Sequence, residues 1–193
     1  MCRTLIWSAL AALTAFPAFA TEPYPIDKRH SQVVFTYTHF GFSRQTGMFR
    51  DISGEVAYDA ADPAQSSVSV TIPIEALSTG VPELDKDLKS PGFFDAAQFP
   101  TATFKSTKVE KTGADTLSVT GDLTLHGVAL PATLAVKVLK VGEHPMRKTP
   151  MVGFDATTTV KRSAFGIEKV APMVSDDIDI HIAVEAAQPK PAG

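Results

Sequence analysis

PELDKDLKSPGFFDAAQFPTATF, residues 82–104, is where the chain stops reading as strand, and the fold turns on what this stretch does. Pro82, Pro91, Gly92 and Pro100 interrupt any ladder, because proline offers no N–H and glycine no backbone restraint. Between the breaks, residues 83–89 carry the charges and the Leu84/Leu88 spacing of one short amphipathic helical turn. Phe93, Phe94, Phe99 and Phe104 follow. A polar excursion that ends in aromatics, set inside a β protein, either caps the open end of an apolar barrel or plugs the floor of a filled core. The stretch by itself leaves both open.

Both flanks alternate with period two. Upstream, residues 26–39 put Val33, Phe35 and Tyr37 on one face, and residues 48–58 resume strand with Val56 among the apolar set. Gly41 and Gly47 bracket FSRQT, which reads as a turn or a single helical turn. Residues 67–74 form a clean half-buried strand with Ile72 inward, and Pro73 marks a bulge or an edge. Downstream, residues 101–110, 117–126, 130–138, 152–161 and 178–185 repeat the pattern, and residues 186–193 read as a proline-rich tail. That makes eight strands with short turns. No longer helical period appears beyond the N-terminal segment, so βαβ units and a parallel sheet are excluded. An antiparallel sheet of this size with one apolar face folds into a sandwich or closes on itself. Closure removes the edges, and eight strands are just wide enough to hold one slender ligand, which favours a barrel.

Residues 1–20 have the form of a secretory signal peptide: Arg3, an apolar region too short to span a membrane, and Ala18-Phe19-Ala20 as the cleavage site. The expected product is a single domain over residues 21–193. Its only cysteine, Cys2, falls within the leader, so disulfides, thiolate metal sites and thiol nucleophiles are excluded from that domain. The 18 Lys and Arg and 21 Asp and Glu are scattered without runs of like sign, which speaks against nucleic acid as a partner.

The inward set is long, apolar and mixed in size. It holds Phe35, Tyr37, Val56, Ile72, Phe104, Leu117 and Val119, then Leu134, Val136, Phe154, Ile180 and Ile182. Gly54, Ala102, Gly121, Ala132 and Ala156 are interspersed. Small residues facing inward on many strands leave open volume for an apolar ligand, with Phe49, Phe93, Phe94, Phe99 and Phe165 at the lid and mouth. Each buried CH2 of such a ligand is worth about 0.8 kcal/mol before costs. His39, at the end of a strand beside Phe40, and Arg44 and Arg162, beside aromatics in irregular passages, are the candidates to meet a polar head group. No catalytic residues are assigned: His30 and Ser31 in DKRHS would point to opposite faces of a strand, and no G-x-S-x-G elbow is present. No metal site is assigned, because none of the five histidines has a ligand spacing with another. No cofactor is expected beyond a bound lipid.

Several stretches together resemble the YceI-like family of exported polyisoprenoid-binding proteins. They are Ile26-Asp27 with His30-Ser31, Phe35, residues 39–41, and Gly47-Met48-Phe49. Phe93-Phe94-Asp95 with Pro100 and Phe104 come next, then residues 121–124 with Gly127, Arg162 with Phe165-Gly166, and the closing strand 176–184. The resemblance implies a lipocalin-like, antiparallel eight-stranded barrel in the periplasm of a Gram-negative cell. A long isoprenoid, such as a polyprenyl phosphate or a quinone tail, would occupy its interior. It implies no catalytic residues. Rival readings are an accessory module of a membrane b-type cytochrome, touching it or the membrane transiently, and an enzyme acting on a bound quinone or lipid. A homodimer would follow if Pro73 or an edge left the barrel unpaired.

Overall fold

The computed structural model describes residues 23–189; the leader expected at residues 1–20 lies outside them. The strands are β1 (Tyr24–Pro25), β2 (Gln32–His39), β3 (Ser43–Phe49), β4 (Ser53–Ala57), β5 (Ser67–Pro73) and β6 (Leu77–Ser78). After a short helix, α1 (Pro82–Leu88), come β7 (Thr101–Lys111), β8 (Thr116–Leu125), β9 (Val128–Glu143), β10 (Pro150–Lys161) and β11 (Asp177–Ala187). All belong to one sheet, in the order β1-β4-β5-β7-β8-β9-β10-β11-β2-β3-β6, with antiparallel pairing throughout. A single curled sheet rules out the sandwich.

The strand count is eleven rather than eight, for two reasons. The expected strand at 48–58 is broken, because Asp51 takes a left-handed φ of 55° and turns the chain from β3 to β4. The two-residue strands β1 and β6 are too short to show alternation. The break has a purpose in the fold. β3 pairs with β2 and β6, while β4 pairs with β5 and β1, so the two ends of the sheet meet at this corner. Chain continuity through Ile52, which has no exposed surface, carries the wall across where the ladder does not.

The turn expected between Gly41 and Gly47 is also corrected. Phe40 and Gly41 both have positive φ, 51° and 75°, and reverse the chain within a three-residue loop between His39 and Ser43, so residues 43–46 belong to β3. Gly47 serves packing instead: it pairs with Phe35 across the sheet, and the Phe35 ring occupies the place a Cβ at 47 would need. Pro73 ends β5 opposite Thr101 and leads into a 3-10 turn, Ile74–Ala76. The tail begins later than expected, since β11 runs to Ala187; residues 190–193 lie outside the described part.

First and last long strands are neighbours, with Ile180 opposite Phe35 and Ile182 opposite Val33. Alternation therefore sends one face of every long strand into a common interior. The connection from β6 to β7 and the one from β10 to β11 cover the same end of that interior.

Candidate functional site: an apolar interior in two chambers

The covered end holds a chamber of about 230 Å³. Its walls include Phe35 and Tyr37 from β2, Phe49 from β3, Ile72 from β5 and Ala102 from β7. Its roof is the stretch that broke the strand pattern. Pro82 starts α1, where a missing N–H costs nothing, and Leu84 and Leu88 face the chamber. Asp85 Oδ1 accepts from the backbone and hydroxyl of Thr79, both at 2.6 Å, which ties the helix to its entry. Phe93 and Phe94 line the chamber too. Phe94 packs edge-on against Phe35 and Phe49, with ring centroids 6.2 and 5.5 Å apart. Open volume beneath these rings makes the stretch a cap rather than a floor plug. Ile167, Val170 and Val174, from the connection between β10 and β11, complete the roof.

A second chamber of about 150 Å³ lies deeper, among Val56, Phe104, Leu117, Val119 and Phe154. Leu134, Val136 and Ile182 line it as well, with Tyr58 near its foot. Val33, Leu123 and Ile180 border both chambers, so the two are contiguous along the barrel. Either volume is about ten times or more the ~10–15 Å³ that admits one water. These are cavities, not packing defects, and their lining is almost wholly aliphatic and aromatic.

The two expected space-making glycines, Gly54 and Gly121, act differently. Phe104 lies over Gly121 as Phe35 lies over Gly47, each ring filling the site of the absent side chain. The rings lie against the wall instead of standing across the bore. Gly54, with φ of 137°, is pressed against the backbone of Ser69 and makes no cavity. Ala102, Ala132 and Ala156 do border the chambers.

Phe99 and Phe165 are corrected: neither borders the chambers. Phe99 packs on His126, centroids 4.6 Å apart, and on Gly127, while Phe165 is buried and its carbonyl meets His126 Nδ1 at 3.0 Å. Together they strap the β8–β9 turn to the end of β10.

The three candidate head-group residues separate. Arg162 is 7% exposed and borders the capped chamber, but its guanidinium is already engaged. Nε donates to Ser175 O, the first terminal nitrogen to Ile167 O and Lys169 O, and the second to Val174 O, all at 2.8–2.9 Å. Burial lowers its proton affinity, Asp176 opposes that, and the side chain acts as an internal tie for the roof. Arg44 is corrected: it lies on the outer face and bonds Asp179 Oδ2 at 2.6 Å. His39 is exposed at the rim of the capped chamber beside Phe40.

At the opposite end, Asp27, His30 and Glu185 come together with potential ligand atoms within 4.8 Å. Arg147 also bonds Asp27 Oδ2 at 3.2 Å, and a guanidinium there opposes a cation. Ser31 is fully buried and exchanges hydrogen bonds with the Glu185 backbone, not with His30. Burial pushes the Asp27 carboxyl up, but hydrogen bonds from the Arg29 N–H, His30 and Arg147 outweigh it and hold the pKa at about 2.

Sequence reasoning had the strand faces right but missed Ile167, Val170 and Val174. Their apolar character inside an irregular passage was the available signal.

Comparison with known proteins agrees with this architecture. The YceI-like domain matches residues 24–186. Protein YceI of Escherichia coli O17:K52:H18 is 38% identical over 98% of this chain and 100% of its own length. A UPF0312 protein of Azotobacter vinelandii is 38% identical over 96% of this chain and 98% of its own. The crystal structure of Burkholderia cenocepacia BcnA superposes with a TM-score of 0.76 at 28% identity, covering 83% of this chain and 99% of that one. A polyisoprenoid binding domain from Saccharophagus degradans shares the fold, with a TM-score of 0.67 at 17% identity over 86% of this chain and 98% of that one. Matched along nearly its whole described length, the chain belongs to the YceI-like family.

Proposed function

We propose that this protein is an exported carrier that sequesters or transports a long isoprenoid, a polyprenyl phosphate or an isoprenoid quinone, in its apolar interior. The observation that carries the reading is the pair of contiguous apolar chambers beneath an aromatic roof. Such a space selects by width and length, and it rewards each buried methylene by about 0.8 kcal/mol before costs. The polyisoprenoid-binding neighbour supports the same ligand class. The protein does no chemistry on its cargo in this reading; it shields the tail from water. Residues 1–20 would direct it to the periplasm, where a lipid crossing an aqueous gap needs such shielding.

The test is mass spectrometry of the organic extract of protein purified without detergent. A prenyl lipid in stoichiometric amount is expected. An empty protein that also takes up no prenyl lipid on incubation overturns the proposal.

A further inference from the structure

The ladder of the barrel wall is incomplete between β9 and β10, as it is at the corner between β3 and β4. β9 and β10 pair from Pro150 opposite Glu143 to Thr157 opposite Ala135, and there their ladder stops. β9 pairs on with β8 alone as far as Val128, and β10 with β11 alone as far as Lys161. The two sides meet again at the capped end, where His126 Nδ1 in the β8–β9 turn lies 3.0 Å from the Phe165 carbonyl just past β10. What remains between ladder and strap is a window in the side of the barrel.

Inward residues bordering the gap, Leu130, Leu134, Thr158, Val160 and Ile180, are only half-buried. Leu117, Leu134, Thr158 and Ile180 border the deeper chamber and also an outer groove of about 640 Å³. Wall residues reached from both sides mark an opening.

The groove differs in chemistry from the interior. Thr36, Ser118, Thr133, Thr157 and Thr159 line it, and each hydroxyl can donate and accept. Its charges are spoken for: Asp179 accepts from Thr159 Oγ1 at 3.0 Å and from Arg44 at 2.6 Å, and His181 faces Asp155 at 3.4 Å. Among the described residues, no unpaired cation lines the groove. At the capped end the Arg162 donors are likewise engaged. A phosphate would need such a donor, whereas a quinone carbonyl or an alcohol needs only hydroxyls.

Resting on the carrier reading above, we propose that cargo enters and leaves through this window and that the threonine groove outside it holds an uncharged, hydrogen-bonding head, of the quinone or prenol class, while the tail lies within.

The test uses delipidated full-length mature protein and two probes with one tail, solanesol and solanesyl phosphate, presented in mixed micelles. The unmodified protein is expected to retain solanesol more tightly than its phosphate. Thr158→Trp narrows the window and, because Trp7 is the chain's only tryptophan and lies in the leader, also reports loading by fluorescence. Its solanesol uptake is expected to slow by about tenfold or more with an unchanged thermal midpoint. Thr157→Val is expected to weaken solanesol by about fivefold, the loss of one hydrogen bond, and the phosphate less. Tighter phosphate binding, or unaltered uptake in a folded Thr158→Trp protein, overturns the inference and leaves the carrier reading standing. Should Thr158→Trp not fold, the two-probe preference of the unmodified protein decides by itself. Failure to retain either probe overturns both.

Discussion

The two ends of the barrel are each tied by one charged side chain, and the ties differ in kind. At the capped end, Arg162 donates to four backbone carbonyls drawn from residues 167–175. At the foot, Asp27 accepts from the Arg29 N–H, His30 and Arg147, binding the approach to β2 to the loop before β10. A guanidinium keeps its charge at any pH a protein survives, whereas a carboxylate does not. The roof is therefore held by a tie that acid cannot loosen, and the foot by one that it can. Asp176, kept below the ordinary carboxylate range by the Ser163 backbone and hydroxyl, adds a smaller acid-sensitive contact beside the roof.

The largest effect should come from removing the tie at the roof. Arg162→Ala leaves several carbonyls without donors and is expected to cost about 3–5 kcal/mol in urea unfolding. It should also raise hydrogen exchange across residues 162–176 while the foot stays protected. Equal loss of protection at both ends would break the distinction. Phe94→Ala removes a roof ring from the aromatic cluster and should cost about 2–4 kcal/mol, with faster release of bound lipid as the second readout. Gly47→Ala forces Phe35 off its seat; a loss of about 1–3 kcal/mol is expected, with shorter prenyl tails retained in preference to long ones.

The smallest effect is the one that sharpens the comparison most. The Asp27 pKa in the folded protein is about 2, below its ordinary value of 3.8, so its stabilisation is fully present above about pH 4. It is lost as pH falls from there through 2. Asp27→Asn should remove that part of the acid dependence, on the order of 1–2 kcal/mol, and leave stability at pH 7 lowered by a similar amount. An unchanged acid profile in the variant would show that the foot is not held by this carboxylate.

Much of the fold was legible because alternation is local. Each long strand announced its inner face, from Val33–Tyr37 to Ile178–Ile182, and the one break in the pattern announced the cap. What was not legible depends on partners far along the chain. Arg162 reads as a free cation because backbone carbonyls have no sequence signature. Phe99 and Phe165 look like lid residues because an aromatic in a loop carries no mark of which way it faces. The division of residues 48–58 follows from the left-handed turn at Asp51, which the apolar pattern passes over. The window between β9 and β10 follows from where two ladders part, which neither strand records alone.

The seating of Phe35 on Gly47 makes the calibre of the lumen depend on an atom that is not there. Glycine and alanine codons differ by one base. A lineage could thus regauge the bore by a single nucleotide change in the wall, without replacing any side chain that lines the chambers.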